Sequence, residues 1–223
     1  MNILNRAFLR VMGTCLTALM LCSCRAEVVK EISFSELDRP LHSSTASLAI
    51  EVDSCTDFID KSKPSALLLK LQEQIPGLFP GATFGECVTR NLAAMAEFTI
   101  PIKLGAAPLR QLEQYEEPVL WNFKDNFGIY MSDKFHKRYR QFIEALPLGP
   151  DEVSFKVVLT NDRETFTATA TAVYVDGRPV VQEEIKVGAQ PVTLELSKLA
   201  LDSLTSAKRS AHQVVLLSDL ATD

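Results

Sequence analysis

Residues 165–175 read Thr-Phe-Thr-Ala-Thr-Ala-Thr-Ala-Val-Tyr-Val and run straight into Asp176-Gly177. Alternation of this kind sends successive side chains to opposite faces of a strand, and β-branched and aromatic residues suit a pleated surface. Asp-Gly is a two-residue turn whose twist matches that of paired strands. The sequence therefore predicts a hairpin of 166–175 with 178–187 and commits this part of the chain to antiparallel sheet.

Other segments repeat the period of two. Val153, Phe155, Val157 and Leu159 alternate with smaller or polar residues, as do Leu48, Ile50 and Val52 ahead of Cys55. Phe98, Ile100, Ile102 and Leu104 form another such run, and Val192, Leu194 and Leu196 another. Residues 84–89 and 213–217 predict shorter strands. Pro101 cannot donate to a ladder, which places its strand at an edge or a bulge. Two helices interrupt the strands. Pro64 suits a first helical turn, Leu67, Leu68, Leu71 and Ile75 share a face, and Pro76-Gly77 ends the pattern. Ser132 can cap a second helix in which Phe135, Tyr139, Phe142 and Leu146 recur at helical spacing before Pro147. Residues 105–118 read as a connecting loop, and 197–208 as holding a helical turn. Helices set between antiparallel runs, without regular strand-helix-strand alternation, predict an α+β fold: a mainly antiparallel sheet with two helices packed on it.

The N-terminus has a different character. Arg6 and Arg10 form a basic start, no acidic residue precedes Glu27, and 11–23 is an apolar run with Thr, Gly and Cys interspersed. That run is too short to span a bilayer and fits the apolar part of a secretory signal. Leu21-Cys22-Ser23-Cys24 resembles the lipobox of bacterial lipoproteins, with Leu three residues before a Cys and a small residue just before it. The resemblance implies that residues 1–23 are removed and that Cys24 is lipidated, becoming the first residue of the mature chain. It leaves a tether over 24–45, which adds one short strand, and a single periplasmic domain over 46–223. Arg25 replaces the Asp that retains enteric lipoproteins in the inner membrane, which implies the outer membrane, facing the periplasm.

The leader carries two Arg and no acid, so its removal takes the net charge from −5 to −7. A mildly acidic chain has no electrostatic basis for binding nucleic acid, where Lys and Arg must neutralise phosphates. The expected link to the membrane is the acyl chains on Cys24. Cys15 and Cys22 leave with the leader, so Cys55 and Cys87 remain. In an oxidising compartment they most simply form one disulfide, closing a loop of about 33 residues worth about 3–4 kcal/mol on the chain-entropy model. Two buried thiols, or two metal ligands lacking a third and fourth, are the alternatives. His42, His136 and His212 are scattered and do not complete a metal site. No metal and no cofactor is expected.

No nucleophile elbow, phosphate-binding loop, dinucleotide fingerprint, His-Glu-x-x-His or Cys-x-x-Cys occurs. The histidines read as surface residues. The pairs Glu116-Glu117, in a loop, and Glu183-Glu184, on a strand whose neighbouring side chains point to opposite faces and cannot share a substrate, read as solvated charge. The unusual composition lies at 121–140, where Trp121, Phe123, Phe127, Tyr130, Phe135 and Tyr139 interleave with Lys124, Lys134, Lys137, Arg138 and Arg140. Such residues suit a binding surface. They also suit a helix with an aromatic core side and a basic wet side, the reading that the helical spacing of Phe135, Tyr139 and Phe142 favours. Trp121, Tyr130, Lys134, Lys137, Arg138 and Arg140 are the candidate partner surface.

Ser54-Cys55, Asp57, Lys63-Pro64-Ser65, Gln74-Ile75-Pro76, Phe79 and Glu86-Cys87 resemble a pattern in small lipoproteins of bacteria and their prophages. The resemblance covers about a third of the mature chain, rests on structural residues, and implies a shared fold and mobile-element ancestry without any catalytic residue. The function expected is an envelope lipoprotein, not an enzyme, that binds another envelope protein, as in phage exclusion or toxin immunity. The alternatives are a structural or assembly lipoprotein of a secretion or conjugation machine and, last, an enzyme.

Overall fold

The computed structural model describes residues 25–145, 153–205 and 213–220. Eleven strands form one sheet: β1 (Ala26–Ser33), β2 (His42–Val52), β3 (Thr83–Arg90), β4 (Ala93–Ala106), β5 (Val119–Phe123), β6 (Asn126–Tyr130), β7 (Val153–Thr160), β8 (Phe166–Val175), β9 (Arg178–Val187), β10 (Val192–Leu196) and β11 (Gln213–Ser218). The helices are α1 (Phe34–Leu37), α2 (Ala66–Leu78), α3 (Asp133–Ala145) and α4 (Lys198–Thr205), with a 3-10 turn over Leu109–Gln114.

The sheet is not open with two helices laid on it. Its order β10-β7-β1-β2-β4-β5-β6-β11-β8 returns to β10, because β8 also pairs β10, and nine strands close into a barrel. The α+β expectation fails for a physical reason. Periodicity reveals which residues form strands, but closure depends on β8 holding two partners distant in sequence.

Around this ring seven neighbouring pairs run antiparallel and two, β1–β7 and β4–β5, run parallel. Straight strands cannot close a ring with an odd number of reversals. β8 absorbs the mismatch. Thr169 and Ala170 pair with β11, Val173–Val175 pair with β10, and between them Ala172 takes a left-handed φ of +52°. Phe166, Ala168 and Ala170 are buried before that point and Val173 and Val175 after it, so the buried side shifts by one residue at Ala172. The register with β9 is unbroken here and the buried side of β9 changes too, from Val180 to Ile185 and Val187, so the hairpin turns over as a unit without an inserted residue. The hairpin with β9 forms as expected, turning at Asp176 and Gly177, both at positive φ.

β4 is shared in a similar way. β2 runs along one edge, while β3 covers residues up to Thr99 on the other and β5 resumes at Lys103. Pro101 falls in the gap between these partners, so its strand is interior with a local edge where no donor is required.

Val28, Leu48, Ile50, Phe98, Ile100, Ile102, Phe127, Phe155, Val157, Leu159 and Leu194 are all buried in one apolar cluster. α1 covers the barrel end where β1 finishes: Phe34 and Leu37 are buried, and the Phe34 ring lies 4.5 Å from that of Phe166. The other end is closed by helices. Phe79 after α2, Phe135 and Tyr139 of α3 and Leu201 of α4 meet Val28, Val153 and Phe155 around an apolar void of about 30 Å³.

Residues 26–45, expected as a tether with one short strand, are part of the barrel. They supply β1, α1 and the start of β2, and bury Val28, Ile32, Phe34 and Leu37. Their apolar residues looked sparse because β1 carries Glu27, Lys30 and Glu31 between its inward positions. α2 starts at Ala66, leaving Pro64 just before the helix, since Ser65 is its cap and accepts a hydrogen bond from the Leu68 amide. Pro76 lies within its last turn rather than beyond it.

Candidate functional site

Two places on the described residues stand apart from ordinary barrel surface, both at the end where β1 begins: the α2–α3 cap with its groove, and the neighbouring loops that carry Phe58, Ile59 and Leu92.

The cap is built by α3. Ser132 accepts from the Phe135 amide at 3.3 Å, as a capping residue does, and Phe135 is buried with its ring 5.3 Å from Phe79 and 6.3 Å from Tyr139. Burial pushes the Tyr139 hydroxyl up to about 12. Arg138 reaches the other way. Its Nε donates to the Leu78 carbonyl at 3.2 Å, one terminal nitrogen pairs with Glu116 at 2.9 Å, and the other donates to the Glu116 carbonyl. Lys134 adds a 3.3 Å pair to the same carboxylate, and these partners hold Glu116 below the usual carboxylate range. Arg138 therefore locks α3 to the end of α2 and to the segment before β5. Beside that lock lies a groove of about 380 Å³ lined by Glu73, Gln74, Gly77, Arg138, Gln141 and Phe142, among others.

The six residues read as a partner surface are not one surface. Trp121 is 3% exposed and packs with Val119, Leu112 and Ala107 in a small cluster outside the main core. Tyr130 is half-buried and donates to Glu113, and both burial and that carboxylate raise its hydroxyl far above the ordinary value. Arg138 and Lys134 are engaged by Glu116, so Glu116 is a structural partner rather than solvated charge. Lys137 and Arg140 are exposed on α3. His136, expected on the surface, is 6% exposed, and its Nε2 donates to the Thr205 carbonyl, tying α3 to α4. Glu183 is held by Arg178 through two contacts of 2.7 and 2.8 Å.

Cys55 and Cys87 are bonded, with Cα atoms 5.6 Å apart. The bond joins the loop after β2 to β3, an outer strand paired only with β4. Cys24, the lipidation candidate, and the leader lie outside the described residues, as does His212.

Sequence reasoning missed the second place. Phe58 and Ile59 are 68% and 97% exposed in the loop that the disulfide anchors, and Leu92 is fully exposed at the β3–β4 turn. The available signal was a pair of large apolar residues in an otherwise polar stretch, Asp57-Phe58-Ile59-Asp60-Lys61. Asn91 and Leu92 both have positive φ, 48° and 69°, a conformation that leucine rarely adopts.

Neither a curated protein nor a solved structure matches the chain. A family model does match it over residues 26–220, the whole span from the first barrel strand to the last. The chain belongs to that family, a domain of unknown function designated DUF7424.

Proposed function

We propose that this protein is a lipid-anchored envelope lipoprotein that acts by binding another envelope protein, not by catalysis. The observation that carries the reading is the lipobox-like Leu21-Cys22-Ser23-Cys24 set two residues before the barrel's first strand residue, Ala26. A disulfide on an outer strand agrees with an exported chain. The recognition surface is the exposed basic side of α3, Lys137 and Arg140, beside the α2–α3 groove with Phe142 and Gln141. Charged side chains around a partly apolar groove favour a protein partner over nucleic acid, since the chain as a whole is acidic. The resemblance to prophage lipoproteins makes exclusion of competing phages or immunity to an exported toxin the concrete form. Arg25 after the lipidated Cys directs the protein to the outer membrane, on its periplasmic side.

Two measurements test this. Cys24→Ser should leave an unprocessed precursor that takes up no acyl label, and normal labelling of that variant would end the lipoprotein reading. Lys137→Glu with Arg140→Glu should remove a partner captured from cross-linked envelopes by the unaltered chain. Retention of that partner would end the assignment of the α3 surface.

A further inference from the structure

We propose that the loops beside the helical cap, at the barrel end where β1 begins, touch a lipid bilayer, with Phe58, Ile59 and Leu92 entering its interface. This rests on the lipid anchor proposed above and adds to it an orientation and a second contact.

The register brings the relevant pieces to one end. Ala26 pairs with Ile50, and the Arg25 carbonyl accepts from the Glu51 amide at 2.8 Å, so the chain enters beside the end of β2. Val52 pairs with Ala94 at the start of β4, and Ala93 pairs with Arg90 across the turn that carries Leu92. The loop holding Phe58 and Ile59 leaves β2 at Val52 and is bonded to β3 through Cys55–Cys87. The chain entry and the exposed apolar residues thus share one end of the barrel. From Cys24 to Ala26 an extended chain spans at most about 7 Å. A lipid on Cys24 therefore leaves no slack to hold this end away from the bilayer.

The loop is built for a poorly hydrated surface. The Asp57 carboxylate accepts from the Ile59 and Asp60 amides at 2.8 and 2.9 Å, and the Asp57 amide donates to the Lys63 carbonyl. The Ile59 and Asp60 amides are thereby satisfied within the loop, which lowers the cost of entering an interface. The Lys61 ammonium lies over the Phe58 ring at 5.4 Å, and a lysine stem is long enough to carry that charge back to water from an interface. Leu69 is half exposed on the first turn of α2, the helix that follows this loop. Leu92 occupies a left-handed turn position where glycine or asparagine is usual. A fully exposed leucine in that conformation recovers nothing by packing within the chain and is available to a surface outside it. Asp53, Asp57 and Asp60 offset Lys61, Lys63 and Arg90, so the contact is apolar and does not need anionic lipid.

The test uses the full chain, produced with its own leader and reconstituted in phosphatidylcholine vesicles containing brominated phosphatidylcholine. Phe58→Trp reports on the proposed contact. Phe123→Trp reports on the barrel end of the β5–β6 turn, and buried Trp121 gives a constant background. Trp at 58 should lose at least about half its emission to the brominated lipid, equally at low and high salt, while Trp at 123 loses none. A chain that fails to float with the vesicles removes the anchor on which the proposal rests. A chain that floats while Trp at 58 is quenched no more than Trp at 123 overturns the bilayer contact alone. A blue shift at 58 without lipid quenching assigns the tip to a protein contact and overturns it as well.

Discussion

Trp121 lies across Gly128 on the neighbouring strand, and the fit leaves no room for a side chain. A Cβ at position 128 would sit 3.1 Å from the indole Cζ2 and 2.3 Å from the Val214 carbonyl oxygen. Gly128 is not there for turn geometry; it allows β5, β6 and β11 to pack beneath the indole. Gly128→Ala should therefore destabilise by about 2–3 kcal/mol or more, because backbone and a buried ring must both shift. Chemical denaturation measures it, and a loss below about 0.5 kcal/mol would show that the strands yield easily.

Arg138 and Arg140 lie two residues apart on α3 and should respond differently to charge reversal. Arg138 donates to the Leu78 and Glu116 carbonyls and pairs with the Glu116 carboxylate, whereas Arg140 is exposed. Arg138→Glu should cost about 2–4 kcal/mol, since it orphans carbonyls and sets two carboxylates together. Arg140→Glu should stay within about 0.5 kcal/mol. Phe135→Ala, at a fully buried ring, should cost about 3–5 kcal/mol by leaving a cavity. Half-buried Phe142 should cost less. Melting curves on these four variants separate the helix's structural side from its available side.

The sequence made the local strands legible because alternation is a local signal. β2, β4, β7, β8 and β10 carry it, β9 was legible from the Asp176-Gly177 turn and β11 from a short apolar run, and the disulfide followed from having two cysteines left to pair. The turns were only partly legible. Three two-residue hairpins have both central residues at positive φ: Asn91-Leu92, Lys124-Asp125 and Asp176-Gly177. Only the last contains glycine, so only that one could be read. Missing the Lys124-Asp125 turn concealed β5 and β6 and made 121–130 look like a binding surface. The barrel itself was hidden for another reason. It depends on β1 pairing in parallel with β7 and on β8 bending at an ordinary alanine, and neither leaves a mark in nearby residues.

Alkaline unfolding should be sensitive to Tyr139. Burial raises its hydroxyl to about 12, above the value near 10 of an unfolded chain, so the folded state holds the proton more tightly. The sign is that this stabilisation is complete below about pH 10 and is lost as pH rises toward 12. Tyr130 is raised as well, by burial and by Glu113, and adds in the same direction. Tyr139→Phe should flatten the fall in stability over that window without abolishing it. Denaturant midpoints measured from pH 9 to pH 12 test this, and an unchanged slope would show that Tyr139 is solvated when the protein is folded.

Leu92 provides a prediction in which stability improves on substitution. A side chain in the left-handed region costs roughly 1–2 kcal/mol, from contact between Cβ and the following carbonyl. Leu92 recovers little of that through packing, being fully exposed at φ +69°. Glycine removes the contact and completes the Asn-Gly pair this turn type favours, at an entropic cost of roughly 0.5–1 kcal/mol. Leu92→Gly should therefore raise stability by about 0.5–1 kcal/mol, or at worst leave it unchanged. An exposed leucine outside the left-handed region, such as Leu69 on α2, should instead lose about 1 kcal/mol on the same change. If Leu92→Gly destabilises as much as Leu69→Gly does, the turn is not strained, and leucine at position 92 needs no explanation beyond its own packing.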